Sequence, residues 1–135
     1  MKPLRQQFID ALGYRGKTPA HYWDFTLTVI AGIAVFFGEV AAMEVRSGGS
    51  AFDLKVAIGC FVLAAACVLL AVRRLFVLGC TVMVPAALLS WNLAVTGDRK
   101  VRTFYLVHMA AGFAVLVVGG LAKLLWQRLR VRRTR

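Results

Sequence analysis

Acidic side chains are scarce in this chain: 6 Asp and Glu stand against 17 Lys and Arg in 135 residues. No two carboxylates are placed for acid–base work, because Glu39 and Glu44 fall on poorly matched faces of any helix that holds both. There is no P-loop and no Ser/His/Asp set in one aqueous layer, so nothing points to a hydrolase or a transferase. The reading is non-enzymatic. Cysteine is limited to Cys60, Cys67 and Cys80, with no C-x-x-C pair, and all three lie in apolar surroundings. A disulfide framework is therefore not expected, and such cysteines behave as small hydrophobes. Alternating strands of the kind that close into a barrel are also missing.

What fills the chain instead is apolar sequence. Sixty per cent of the residues are hydrophobic and the mean hydropathy is +0.73, far from the balance of a soluble domain. Four stretches, at 25–43, 54–72, 75–95 and 103–126, meet or nearly meet the ~20 residues needed to cross a hydrocarbon layer. Backbone polar groups in lipid must be satisfied within the segment, so these stretches are expected as helices. The predicted fold is an all-α integral membrane protein, a four-transmembrane-helix bundle with a short N-terminal interfacial helix. Three parts follow: a cytoplasmic amphipathic segment at 1–24, the bundle at 25–126 and a basic cytoplasmic tail at 127–135.

The net charge of +11 belongs to membrane topology more than to nucleic acid. Lys2, Arg5, Arg15, Lys17, Arg73, Arg74, Lys123, Arg128, Arg130, Arg132, Arg133 and Arg135 share one side of a four-span arrangement. Arg46, Lys55, Arg99, Lys100 and Arg102 take the other. The excess predicts cytoplasmic N and C termini. No cleavable signal peptide is visible, and the first span is expected to serve as an uncleaved anchor. In the tail, Arg128, Arg130, Arg132, Arg133 and Arg135 are placed to contact anionic lipid headgroups.

Near the N-terminus, Leu4, Phe8 and Leu12 recur at helical spacing beside Ala11, which suits a helix lying on the membrane surface. Gly13 to Gly16 break it, and Thr18-Pro19 has the form of an N-cap followed by proline at the first helical position. The run Ser47-Gly-Gly-Ser50 is expected as a flexible outer turn, and Arg73-Arg74 as a tight inner one. Pro85 falls in the middle of the third span and deprives the carbonyl of Thr81 of its N–H partner.

Two short motifs resemble a known family. Gly16-Lys17, a polar gap and Tyr22-Trp23-Asp24-Phe25, together with Val72-Arg73-Arg74-Leu75, are similar to elements of the bacterial inner-membrane family termed "domain of unknown function 805". The likeness covers about the first 95 residues. It departs where that family places a His-Asp pair after Arg-Arg-Leu, since this chain continues Phe76-Val-Leu-Gly79. The resemblance implies architecture and localisation, and no chemistry.

Glu39 is the principal candidate for function, because a carboxylate in the outer half of a span costs about 2.5–3.5 kcal/mol unless paired, protonated or hydrated. Depth counting brings Asn92 and His108 to the same level, so Glu39, Asn92 and His108 are predicted as a polar intramembrane layer. A metal held there with Cys60 has acceptable ligand types, yet no i, i+3 or i, i+4 ligand pair marks it. His21 and His108 lie roughly 20 Å apart along the membrane normal, which excludes one haem held by both within a chain. No cofactor is expected. Asp24 and Glu44 sit at span ends, where contact with water is expected to account for them.

Ala34, Gly38 and Ala42 form a small-residue stripe on the first span, and Ala110 and Ala114 repeat the theme on the fourth. The leading functional expectation is an accessory, regulatory or membrane-integrity factor acting by helix packing, as a homo-oligomer or with another membrane protein. The alternatives are a small proton-coupled transporter using Glu39 and an immunity protein against a membrane-acting toxin.

Overall fold

The computed structural model describes residues 2–12 and 20–133. The side chains of Ala20, His21, Leu93, Arg132 and Arg133 stand outside that description, as do the Thr18-Pro19 cap, Gly16-Lys17 and Arg135. The described residues form five helices and no strands: α1 (Leu4–Ala11), α2 (Ala20–Arg46), α3 (Ala51–Leu70), α4 (Arg74–Thr96) and α5 (Arg99–Arg133). Of these, α2 to α5 are long and apolar enough to cross a membrane.

Local chemistry sets most of the boundaries. Helix α2 stops where Gly48 takes φ +96°, with the Gly49 N–H donating to the Glu44 carbonyl at 2.8 Å. That left-handed conformation suits glycine, which has no Cβ to clash. Helix α3 then starts at a reciprocal capping box: the Ser50 hydroxyl accepts from the Asp53 N–H, and the Asp53 carboxylate accepts from the Ser50 N–H at 2.7 Å. The Ser47–Ser50 segment, expected as a flexible turn, is a turn held by hydrogen bonds. At the next connection Gly97 has φ +61°, and the Asp98 carboxylate accepts the Lys100 N–H at 2.8 Å to cap α5. Helix α4 runs through Pro85. Helix α5 carries the predicted basic tail as a continuous helical extension to Arg133.

The helices are arranged as a row, α3–α2–α4–α5. Helix α2 packs along α3 on one side and α4 on the other, α4 packs along α5, and α3 meets α4 only weakly. The backbones of α2 and α5 do not approach each other closely. The short α1 lies on α5, where Phe8 and Leu12 occupy the space over Gly120, Ala11 is buried, and Leu4 points away exposed.

Small side chains make the contacts. The core cluster comprises Leu27, Ala31, Ala34, Ala64, Cys67, Ala71 and Val77, while Phe37, Phe61, Leu70, Leu88, Trp91, Phe113 and Trp126 are exposed. This inversion is the pattern of helices suited to lipid, which is as apolar as leucine, so that close backbone approach and not burial of large groups favours association there. At Gly112 an added Cβ would lie 2.7 Å from the Gly79 carbonyl oxygen, and at Gly32 it would overlap Val84. Exposed Trp23 and Trp126 mark one end of the row, and Trp91 lies toward the other. From Tyr105 to Trp126 along α5 is about 31 Å of helix rise, close to the thickness of a hydrocarbon layer.

Candidate functional site

Glu39 and His108 come together. Helix α2 presents Glu39 at a half-buried position, and α5 presents His108, whose Nε2 lies 2.8 Å from the Glu39 carboxylate oxygen Oε1. The imidazole stacks on Phe104 one turn earlier, with ring centroids 4.0 Å apart. Its Nδ1 lies 2.9 Å from the Phe104 carbonyl oxygen. The backbones of α2 and α5 do not approach closely, and this pair bridges the two helices across the gap.

A carbonyl oxygen can only accept, so the tautomer with a hydrogen on Nδ1 donates it to Phe104. Nε2 is within hydrogen-bond distance of Glu39 Oε1, and a proton between the two makes a pair of zero net charge when Nδ1 is also protonated, the form an apolar layer tolerates. The other carboxylate oxygen, Oε2, is buried and without a hydrogen-bond partner. A cavity of about 660 Å³ reaches His108 from the Asp98–Lys100 turn, lined also by Thr103, Phe104 and Val107.

Asn92 does not join them. It sits near the end of α4, exposed, and its side-chain oxygen accepts from the Thr96 hydroxyl at 3.0 Å. Helix rotation, which depth counting does not supply, turns it away. Ser90 is likewise exposed and donates to the Ala87 carbonyl of its own helix. Cys60 packs against α2 at Gly38, where an added Cβ would lie 3.1 Å from the Cys60 Cβ. Ala34 and Gly38 are buried in the α2–α3 contact and Ala42 is half-buried, whereas Ala110 and Ala114 are exposed on α5. Arg128 donates to the Gln7 side-chain oxygen at 3.1 Å and so fastens α1 to α5. Arg130 is exposed on the same extension.

The expectation that water accounts for Asp24 is overturned. Asp24 is only 1% exposed and pairs with the buried Arg73, whose Nε donates to its Oδ2 at 2.7 Å. The same carboxylate accepts the backbone N–H groups of Val72 at 2.9 Å and Arg73 at 3.3 Å. From the adjacent position the Trp23 indole N–H donates to the Leu70 carbonyl at 3.3 Å. Helix α2 is thereby locked to the α3–α4 turn by a charged pair whose remaining lone pairs are satisfied, the condition under which a buried pair is tolerated. The signal was present in the sequence. A lone acid beside Tyr22-Trp23 and an arginine pair ending another span are predicted at one depth, and each is costly there alone.

No family model, curated protein or solved structure matches this chain.

Proposed function

We propose that the chain is a non-enzymatic, multi-pass protein of the bacterial inner membrane, with N and C termini cytoplasmic, acting as an accessory or regulatory subunit. Its helix arrangement is set by the bond between Glu39 and His108. The observation that carries this reading is the 2.8 Å contact between Nε2 and the carboxylate. The pair ties α5 to α2, and breaking the bond would release α5 to move with α4. The charged groups that line the cavity are Asp98, Arg99 and Lys100. Support for the orientation comes from the one-sided basic excess.

The exposed Ala110 and Ala114 are where a partner helix would approach closely, because the Ala34–Gly38 stripe is used within the chain. A tagged chain drawn from native membranes in mild detergent, as wild type and Glu39→Gln, tests the proposal. The expected result is a stoichiometric membrane partner, or a second copy, retained by the wild type and weakened in the variant. A wild-type chain that emerges alone, or equal retention in both, overturns it.

The cavity beside His108 favours a second reading, a proton-coupled transporter of a cationic substrate. Uptake driven by a pH gradient in liposomes, abolished by Glu39→Gln, would establish it. Uptake preserved in that variant would remove it.

A further inference from the structure

We propose that a second cleft, at the opposite end of the molecule from the Glu39–His108 pair, is a binding site for a phosphate group, supplied by the headgroup of an anionic phospholipid or by free phosphate. The lipid source rests on the membrane reading above.

The cleft has a volume of about 360 Å³ and is lined by Leu12, Val72, Arg73, Arg74, Leu75 and Lys123. Three separate parts of the fold build it: the end of α1, the α3–α4 turn and α5. Its cations are not equivalent. Arg73 is spent on Asp24, buried and hydrogen-bonded. Arg74 and Lys123 are exposed, and no hydrogen bond or ion pair engages either of them among the described residues. Nor is a side-chain carboxylate at this end left without a partner among the described residues. Of the acids there, Asp10 is paired with Lys2 at 2.8 Å and Asp24 with Arg73. The other four, Glu39, Glu44, Asp53 and Asp98, lie toward the far end of the row.

A guanidinium and an ammonium converging on one cleft are suited to a phosphate: arginine supplies a planar fork of donors, and lysine a mobile point charge. The rest of the lining is apolar, through Leu12, Val72 and Leu75, which suits the glycerol and upper acyl carbons of a lipid. The level also fits. Trp126 lies one turn beyond Lys123 and is exposed, and Trp23, also exposed, bonds to the end of α3 beside the cleft. Indole rings collect at the headgroup boundary, and basic pockets between spans on the cytoplasmic side are where anionic headgroups settle. This cleft is distinct from Arg128, further along α5, whose guanidinium is engaged by the Gln7 side chain of α1.

The test uses the full chain purified in a neutral detergent, with its thermal unfolding midpoint followed during titration. The probes are short-chain phosphatidylglycerol, short-chain phosphatidylcholine and inorganic phosphate. Phosphatidylglycerol should raise the midpoint and phosphatidylcholine should not. In Arg74→Gln/Lys123→Gln the half-saturating phosphatidylglycerol concentration should rise at least about tenfold. Arg128→Gln/Arg130→Gln should leave it within about twofold of the wild type. A matching shift with inorganic phosphate identifies free phosphate as the source, and its absence identifies the lipid. Equal shifts with both lipids, or an undiminished phosphatidylglycerol shift in Arg74→Gln/Lys123→Gln, overturn the site. Should that variant fold poorly, Arg74→Lys/Lys123→Arg keeps both charges and must retain the shift. Loss of the shift there with folding intact also overturns the proposal. Carbonate washing of membranes separates the two levels. A wild-type chain that washes off breaks the membrane reading, whereas one that stays while the cleft variant binds normally breaks only the site.

Discussion

At the scale of single residues, two carboxylates in a nearly acid-free apolar layer hold the arrangement together, and they do so differently. Asp24 is enclosed, accepts from Arg73 Nε and from two backbone N–H groups, and its removal leaves a buried guanidinium without its counter-charge. Asp24→Ala should therefore destabilise the fold by about 3–5 kcal/mol, read by denaturant unfolding in detergent. Asp24→Ala combined with Arg73→Met should recover part of that loss, since the unpaired charge goes as well. Glu39 is more open, with a side chain 26% exposed, and its bond to His108 crosses between helices whose backbones do not approach closely among the described residues. A double-mutant cycle of Glu39→Gln and His108→Gln should show a coupling of about 0.6–2 kcal/mol.

The helices are specified at the scale of the element by where small residues lie. Gly32 faces Val84 across the α2–α4 contact and Gly112 faces the Gly79 carbonyl across α4–α5, both too close for a side chain. Gly32→Val should cost about 1–3 kcal/mol or more through overpacking, measured as a lowered unfolding midpoint. The Ala34–Gly38 stripe behaves likewise: Gly38→Leu strikes Cys60 and Phe61 of α3, and so should damage the fold before any assembly. Ala110→Leu points outward and should leave the unfolding midpoint unchanged while lowering the oligomer or partner fraction on a mild-detergent gel. The helix positions and the tight Arg73–Arg74 turn were readable from the apolar runs and the charges between them. The use of each small-residue stripe was not, because a stripe on one helix carries no mark of which neighbour it meets.

For the whole molecule, the described start of the chain, the α3–α4 turn and the end of α5 share one end, fastened by Gln7–Arg128 and Asp24–Arg73. The two glycine turns at Gly48 and Gly97 are placed at the other end. Reporter fusions at Gly48 and Gly97 should report the periplasm, and a C-terminal fusion the cytoplasm. A periplasmic C-terminus would invert the assignment and move the basic cleft away from the anionic cytoplasmic surface.

The all-helical class and the presence of four long apolar helices were legible in the sequence alone. Both depend on position along the chain, through apolar run length and helix rise. Partnership was not. Glu39, Asn92 and His108 share a depth, yet only Glu39 and His108 meet, and Asp24 is buried at a level where water was expected. These outcomes turn on helix rotation and on the order α3–α2–α4–α5. Both arise from contacts between residues far apart in sequence, where small side chains let particular backbones close together.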